Sequence, residues 1–347
     1  MKKIKTAILG FGLSGKILNG QLIAALEDFQ VAKVFTSRAD EVAALFPEAE
    51  CISDAFDAIN DSSIDLIVNC APNEFHYSYS LAALESGKHV LVEKPFVNNL
   101  EDGEKLIAAA KKAGRFISVF HNRRWDSDFL TIKKLLEENE LGKIKQFESY
   151  FDRFRPHLTE GQWREKSGPG AGVLFDLGPH LIDQALELFG RPESLFADLE
   201  SQKGHGVDDY FHIVLSYSEM RVILHACTFS GVSPRFKVLG SEGNFIKYGM
   251  DPQEAWLRAG KSPLENGFGL EKEEIYADLY RFNDKEALVE KRKSEKGNYL
   301  EFYKSLAKAI LENDESLLPV TASSSLQSIE LIEKAFLSSK EGRRIEL

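Results

Sequence analysis

The sequence predicts an α/β protein. Its N-terminal part is predicted to contain a doubly wound parallel sheet, and its C-terminal part is predicted to be an α/β domain with a mostly antiparallel sheet. Over the first 120 residues, short apolar runs alternate with segments of helical hydrophobic spacing, the pattern of parallel strands joined by crossover helices. Beyond residue 190, strand-like runs follow one another without helices between them. We therefore predict two domains, residues 1–120 and 121–347.

The elements can be placed in chain order from these patterns. In the first domain we predict strands at 5–10, 30–36, 64–70, 89–93 and 116–120, and helices that include 75–86 and 100–113. In the second domain we predict a helix from about 129 to 141 and another at 174–189, and strands at 143–155, 195–201, 210–217, 221–229, 236–239 and 244–248. The polar stretch 260–296 is predicted to be loop-rich. A last helix, at about 322–338, could pack back on the first domain.

Composition excludes several classes of partner. The net charge is −11 and there is no long basic run, which argues against nucleic acid and against anionic membranes. No apolar stretch is long enough to span a membrane. Cys51, Cys70 and Cys227 are far apart, which argues against a disulfide framework or a structural metal site and fits a reducing compartment. We predict a cytoplasmic protein without a metal.

A glycine-rich motif, GxGxxG, follows the first predicted strand and opens the first predicted helix. In that context Gly10 permits a tight turn, Gly12 lets the backbone approach a pyrophosphate, and Gly15 allows close packing of helix and strand. The first domain is therefore predicted to be a dinucleotide-binding Rossmann domain, although a glycine turn without a ligand is the alternative. The cofactor contacts predicted here are Gly10, Phe11, Gly12, Leu13, Ser14 and Gly15.

The end of the second strand carries information about the type of cofactor. An acidic residue usually stands there in NAD sites, whereas this chain has Ser37 and Arg38, with Asp40 two residues later. A hydroxyl and a guanidinium suit a 2′-phosphate, so we predict NADP, with NAD possible. The alternative is a solvated surface arginine, and a turn could bring the carboxylate of Asp40 toward the ribose.

Further cofactor contacts are predicted where later strands of the first domain end, because ligands bind at the carboxyl edge of an open α/β sheet. Glu93 and Lys94 close one strand, just before Pro95, which favours an extended backbone at Lys94. A lysine at a strand end is commonly just solvated. The predicted contacts at this edge are Cys70, Pro72, Asn73, His76, Glu93 and Lys94.

The second domain holds the candidates for acid–base chemistry and substrate binding. Asp176 and His180 lie four residues apart and would share one face of a helix, where a carboxylate can orient an imidazole for general acid–base work. A purely structural Asp–His pair is equally compatible with the spacing. Polar and aromatic clusters could bind either a neutral polyol or an anionic substrate, or could simply form salt bridges. The predicted substrate-binding residues are Arg124, Asp152, Arg155, His157, Trp163 and, more weakly, Tyr299.

Taken together, GFGLSG, EKP about 80 residues later and the D-x-G-x-H at 176–180 resemble the Gfo/Idh/MocA oxidoreductase family over essentially the whole chain. Within that family, longer stretches are similar to NADP-dependent scyllo-inositol dehydrogenases: HNRRWDSDFLTIKKLL, DRFRP, DLGPHLIDQ, DYFH, FIKYGMDPQE and GNY. The resemblance implies that Lys94 is the catalytic lysine and that Asp176 and His180 are the acid–base pair.

The same resemblance implies hydride transfer between NADP and a cyclic polyol, scyllo-inositol or its keto form. It also implies that the sheet of the C-terminal α/β domain is large and open, and that a homodimer or homotetramer forms through this sheet. Two alternatives stay open. One is a sugar (aldose) dehydrogenase of the same family, and the other is a nucleotide-binding regulator without turnover.

Overall fold

The computed structural model of the chain describes residues 3–158, 168–282 and 287–347. Over these ranges the chain forms two compact units. Unit 1 comprises Met1–Trp125, Gln253–Phe268 and Asn298–Ile329, and unit 2 comprises Asp126–Pro252, Gly269–Gly297 and Glu330–Leu347. The chain therefore passes between the units several times.

The sheet of unit 1 has, among the described residues, six strands that all run parallel in the order β3-β2-β1-β4-β5-β6. The strands are β1 (Ile4–Leu9), β2 (Phe29–Phe35), β3 (Glu50–Ile52), β4 (Leu66–Asn69), β5 (His89–Val92) and β6 (Ile117–Val119). The order reverses at β1, which lies between β2 and β4. The predicted doubly wound sheet is confirmed, and this reversal marks the carboxyl edge where such sheets bind ligands.

The helices of unit 1 include those that connect these strands. A π helix, Leu13–Gly20, continues into α1 (Gln21–Ala24), and the others are α2 (Ala39–Leu45), α3 (Phe56–Ile59), α4 (His76–Glu85), α5 (Leu100–Ala113), α8 (Gln253–Arg258) and α9 (Tyr299–Glu312). The sequence signals at α5 are clear. Asn99 caps its start by accepting a hydrogen bond from the Asp102 N–H at 2.9 Å, and Gly114 ends it in a left-handed conformation.

The sheet of unit 2 has nine strands within the described ranges, in the order β14-β13-β12-β11-β7-β10-β9-β8-β15. They are β7 (Ile144–Tyr150), β8 (Ser194–Glu200), β9 (Tyr210–Ser216), β10 (Arg221–Cys227), β11 (Phe236–Gly240), β12 (Gly243–Lys247), β13 (Ala277–Phe282), β14 (Ala287–Arg292) and β15 (Ile345–Glu346). Only the β7–β10 pair among these is parallel. The predicted large, mostly antiparallel sheet is therefore confirmed.

Helices cover one face of this sheet. The helices of unit 2 are α6 (Ser127–Glu137) and α7 (Val173–Phe189), and α10 (Ala322–Glu341) begins in unit 1 and ends in unit 2. Helix α7 packs against β9 and β10. In β10 the side chains of Val222, Leu224 and Ala226 are fully buried, whereas the residues that alternate with them are not. The buried set identifies the helix-covered face of the strand.

The structure corrects part of the prediction for unit 2. The stretch 260–296 is not all loop, because β13 and β14 form an antiparallel hairpin in it. Strand β14 lies at the sheet edge and is exposed along most of its length, so its residues need no apolar alternation. The predicted strand 143–155 ends at Tyr150, although its continuation still bonds to β10, for example from the Phe151 N–H to the His225 carbonyl at 2.9 Å.

No helix in the described part of the chain is long and apolar enough to cross a membrane.

Candidate functional site

The turn after β1 is built from glycines for steric reasons. Gly10 has φ +91°, its N–H donates to the Phe35 carbonyl at 3.0 Å, and an added Cβ would lie 2.6 Å from the Cys70 carbonyl oxygen. A Cβ on Gly15 would lie 2.0 Å from the Gly10 carbonyl oxygen. Gly12 differs, since a Cβ there would meet no atom within 4 Å. Gly10 and Gly15 are therefore required by the fold, whereas Gly12 is required only by a ligand that approaches the turn.

The π helix Leu13–Gly20 starts directly at this turn. Gly12 provides no side-chain cap, and no acidic residue stands in the first helical turn. The free N–H groups and the positive end of the helix dipole are therefore available to an anion. Together with the open space at Gly12, this arrangement fits the pyrophosphate of a dinucleotide.

The end of β2 presents Ser37 and Arg38 to solvent. The Arg38 Nη1 donates to the Phe11 carbonyl at 3.4 Å and lies 3.9 Å from the Glu41 carboxylate, which also pairs with Lys16 at 2.7 Å. Asp40 lies in the first turn of α2 and is exposed. Arg38 thus bonds to the glycine-rich turn itself, and its half-exposed guanidinium has the donors that a 2′-phosphate would take.

A buried carboxylate lies behind the glycine-rich turn. Glu93, at the end of β5, accepts hydrogen bonds from the Ser14 hydroxyl, from Asn19 Nδ2 at 2.7 Å and from the Lys94 N–H at 3.1 Å. Tyr303 of α9 donates to the Asn19 side-chain oxygen. Burial raises the pKa of Glu93. The network ties the start of the π helix to the backbone of Lys94, whose own side chain is half-buried and whose bond to Pro95 is cis.

The end of β4 is braced by a buried histidine. His76 Nδ1 lies 2.7 Å from the Pro95 carbonyl, and its Nε2 lies 3.0 Å from the Ala71 carbonyl. Burial lowers the pKa of His76 to about 4, so a neutral ring donates to one carbonyl only. Asn73 lies in the adjacent turn, where its carbonyl accepts from Asn98 Nδ2 at 3.2 Å. Among the predicted contacts here, Pro72 is exposed, Cys70 and Asn73 are half-buried, and His76 is fully buried.

In unit 2, α7 carries Asp176 and His180 one turn apart, as predicted. The helix start is fixed by Asp208, whose carboxylate accepts from the Leu174 N–H at 2.7 Å and whose carbonyl accepts from the Val173 N–H at 2.9 Å. A Cβ on Gly172, which has φ +92°, would lie 2.0 Å from the Asp208 carboxylate. Burial raises the pKa of Asp208 to about 6, and the neighbouring charge of Asp209 adds to this.

The imidazole of His180 is buried and stacks on Phe151, with ring centroids 6.4 Å apart and an interplanar angle of 28°. The guanidinium groups of Arg153 and Arg235 also lie near the Phe151 ring, at 4.7 and 5.2 Å from its centroid. Arg235 is itself anchored by bonds to Ser149 and Gln184. The ring that His180 contacts is therefore also contacted by one buried guanidinium, that of Arg235, and by one half-buried guanidinium, that of Arg153.

A cleft in unit 2 opens beside the first turn of α7. It is lined by residues from α7, from the segment after β7, from the loop before β9 and from the end of β10: Phe151, Arg153, Arg155, Gly172, Val173, Asp176, Leu177, Lys203, His205, Asp208, Asp209, Cys227 and Thr228. Two of the predicted residues, Asp176 and Arg155, lie in it together. Within the described ranges, no group of three or more His, Cys, Asp or Glu side chains is arranged to hold a metal.

The other predicted substrate residues lie elsewhere. The Asp152 carboxylate accepts from the Ser233 hydroxyl and lies 3.5 Å from His225 Nε2. His157 is exposed and is not among the residues lining the cleft. Arg124 and Tyr299 belong to unit 1, where Tyr299 is fully buried. The prediction for Trp163 lies outside the described residues.

Several residues of these sites had no signal in the sequence. Asn19 and Tyr303 support Glu93 through side-chain bonds from distant positions, and Asp208 caps a helix that begins 35 residues before it. Thr228 enters the cleft only because the segment after β7 pairs with the end of β10. Asp208 directly precedes the loop end before β9 and no helix begins there, so its local sequence does not mark it as a helix cap.

A glycine turn at the switch point of a parallel sheet, with a free helix start behind it, defines unit 1 as a dinucleotide-binding domain of the kind found in nicotinamide-dependent oxidoreductases. Comparison with protein families agrees. Residues 4–121 match the model described as the oxidoreductase family, NAD-binding Rossmann fold, and residues 133–347 match the oxidoreductase family, C-terminal alpha/beta domain. The chain belongs to the Gfo/Idh/MocA oxidoreductase family.

Individual relatives match over nearly the full length. The chain is 41% identical to scyllo-inositol 2-dehydrogenase (NADP(+)) IolW of Bacillus subtilis (strain 168) over 346 residues, which cover 99% of this chain and 96% of that protein. It is 42% identical to the uncharacterized oxidoreductase YdgJ of Escherichia coli (strain K12), with 97% and 96% covered. The solved structure of the oxidoreductase yvaA from Bacillus subtilis has a TM-score of 0.96 at 40% identity, covering 100% of this chain and 99% of that one.

Proposed function

We propose that this oxidoreductase transfers a hydride between NADP and a cyclic polyol, scyllo-inositol or its keto form. The observation that carries the proposal is the near-full-length similarity to IolW, which extends through both family domains. The cleft in unit 2 supports it, because carboxylates and guanidinium groups lie side by side there and a polyol both donates and accepts hydrogen bonds.

The cofactor is NADP in preference to NAD. The glycine-rich turn and the start of the π helix would hold the pyrophosphate, and Ser37 and Arg38 would hold the 2′-phosphate. Of these, Arg38 gives the discrimination, because it replaces an acidic residue that would repel a phosphate. Bound there, the nicotinamide supplies or accepts the hydride.

Three residues carry the proton and charge chemistry. The imidazole of His180 takes the hydroxyl proton during oxidation and returns it during reduction. The ammonium group of Lys94 donates a hydrogen bond to the same oxygen and stabilises its developing negative charge. Asp176 orients His180 or binds an adjacent hydroxyl. The restricted surroundings of His180, stacked on Phe151, support a role in which ring orientation matters.

A sugar dehydrogenase of the same family is the second candidate. A D-glucoside 3-dehydrogenase of Escherichia coli (strain K12) is 27% identical over 192 residues, which cover 54% of this chain and 55% of that protein. The reaction at the carbinol carbon would be the same. A nucleotide-binding regulator is disfavoured, because a sensor has no need for the set Lys94, Asp176 and His180.

The active form is a homodimer or homotetramer in the cytoplasm, assembled through the sheet of unit 2. Large apolar side chains on its strands are partly exposed, for example Phe196 at 37% and Phe282 at 56%. Such surface on a sheet favours contact with a second copy. Light scattering after size exclusion tests this, and a monomer at micromolar concentration would contradict it.

A spectrophotometric screen tests the function. Inositols, aldoses and glucosides are offered with NADP and with NAD, and the highest kcat/KM is expected for scyllo-inositol with NADP. Lys94→Ala and His180→Ala are assayed beside wild type, and His180→Ala is expected to lower kcat by about a hundredfold or more, with little change in cofactor affinity. If aldoses are turned over far more efficiently than inositols, the substrate is an aldose and not an inositol. Near-normal turnover in both variants would refute the catalytic assignment.

A further inference from the structure

Thr228 has a buried hydroxyl with no protein partner. The residue is 8% exposed, and its Oγ1 makes no hydrogen bond among the residues that the structure describes. A threonine hydroxyl carries one donor and two acceptor sites, and buried hydroxyls are normally bonded because an unmade bond is costly. The exception therefore needs an explanation.

The position of Thr228 supplies one. Thr228 follows β10 directly and continues the alternation of Val222, Leu224 and Ala226, which places it on the strand face that α7 covers. Its carbonyl accepts from the Arg155 N–H at 2.8 Å, so its backbone is fixed. It lines the cleft that Asp176 also lines. The unbonded hydroxyl thus stands beside the helix turn that carries the acid–base residues.

We propose that Thr228 determines substrate specificity by binding a non-reacting hydroxyl group of the polyol. The inference rests on the proposed function, since it requires a substrate with several hydroxyl groups. A threonine hydroxyl is too weak an acid and base to move the reacting proton at neutral pH without an activating partner, so its role is recognition. A site with a polar group that only the correct substrate satisfies rejects analogues that lack the matching hydroxyl.

The test compares Thr228→Val with Thr228→Ser. Valine keeps the shape of the side chain and removes the hydroxyl, whereas serine keeps the hydroxyl. With scyllo-inositol and NADP, Thr228→Val is expected to raise the KM for the polyol about tenfold. The kcat of Thr228→Val and its KM for NADP are expected to change by no more than about twofold. The KM of Thr228→Ser for the polyol is also expected to stay within about twofold of the wild-type value. Because no protein bond is lost, the Tm of Thr228→Val should equal or exceed that of wild type.

Ser216→Ala is the matched control. Ser216 ends β9, is 4% exposed and also has an unbonded hydroxyl within the described residues, but it does not line the cleft. Its removal should leave both KM values unchanged.

Two results would overturn the proposal. One is an unchanged KM for scyllo-inositol in Thr228→Val. The other is a fall of several degrees in its Tm, because that would show that the hydroxyl has a structural partner. If wild type turns over no inositol, the proposed function fails separately, and the same variants are assayed with the best substrate of the screen. An unchanged KM for that substrate in Thr228→Val would also overturn the inference.

Discussion

The glycines of the first turn allow the fold and the cofactor site to be separated by single substitutions. Gly12→Ala adds a Cβ at a position where no atom lies within 4 Å, and the residue has φ −77°, which alanine readily adopts. Gly10→Ala adds a Cβ 2.6 Å from the Cys70 carbonyl oxygen at φ +91°. We expect the first variant to lose cofactor affinity without losing stability, and the second to lose stability.

The magnitudes follow from these surroundings. Alanine at position 12 restricts the unfolded chain and should stabilise the fold by about 0.4–1 kcal/mol. Alanine at position 10 costs about 1–2 kcal/mol for the left-handed backbone. The overlap with a backbone carbonyl, which cannot rotate away, adds about 1–3 kcal/mol. The total of about 2–5 kcal/mol corresponds to a fall in Tm of roughly 4–20 °C for a unit of this size.

Thermal unfolding followed by circular dichroism gives the stability, and quenching of protein fluorescence by NADPH gives the affinity. Gly12→Ala should bind NADPH at least about tenfold more weakly than wild type, because its methyl group occupies the approach of the pyrophosphate. If Gly12→Ala bound NADPH as tightly as wild type, the turn would not be the phosphate site. If it unfolded at a clearly lower temperature than wild type, the steric reasoning would be wrong.

Three further outcomes are expected. Arg38→Ala should lower kcat/KM for NADP about tenfold or more and change that for NAD little; steady-state kinetics with both cofactors checks this, and an unchanged NADP preference would contradict it. Glu271→Gln should destabilise the protein by about 3–5 kcal/mol in urea unfolding, because the ammonium of Lys247, fully buried 3.1 Å from that carboxylate, loses its counter-charge; a change below about 1 kcal/mol would contradict the burial of the pair. Asp208→Asn keeps a cap for the Leu174 N–H but does not titrate. The folded pKa of Asp208, about 6, lies above its ordinary value of 3.8, so its contribution to stability is full below pH 3.8 and is lost as the pH rises through 6. The Tm of wild type should therefore fall relative to that of Asp208→Asn between pH 4 and 7, and parallel Tm curves would refute the shift.

The central strands of unit 1 could be predicted because their sequence is locally unambiguous. The strands Leu66–Asn69 and His89–Val92 are buried at every position, and each contains three consecutive apolar residues next to a polar turn. Strand β3 is three residues long and mostly exposed, so it leaves no such trace. The hairpin of β13 and β14 was missed for a related reason, since its outer strand pairs on one side only and carries Glu290, Lys291 and Arg292.

The candidate sites likewise contain features that local sequence predicts and features that depend on the fold. The glycine turn and the Asp176–His180 spacing are local patterns, and each implies a geometry by itself. The partners of Glu93 and the lining of the cleft depend on which strands become neighbours. Of the residues predicted from aromatic and basic clusters, Arg155 lines the cleft and Asp152 does not, although only two positions separate them along an extended segment. Composition could not distinguish them, because the register of the segment against β10 decides which side chain faces α7.

The orientation of the helix turn that carries Asp176 and His180 follows from the fold of unit 2 alone. Asp208 accepts hydrogen bonds from the first two N–H groups of α7 with its carboxylate and its carbonyl. Gly172 leaves room for that carboxylate, since an added Cβ there would lie 2.0 Å from it. One turn after Asp176, the ring of His180 stacks on Phe151. Each end of this short stretch is thus held by a separate part of the unit. A substitution in the loop before β9 should therefore disturb the proton transfer that we propose for His180, even when the substituted residue touches neither substrate nor cofactor.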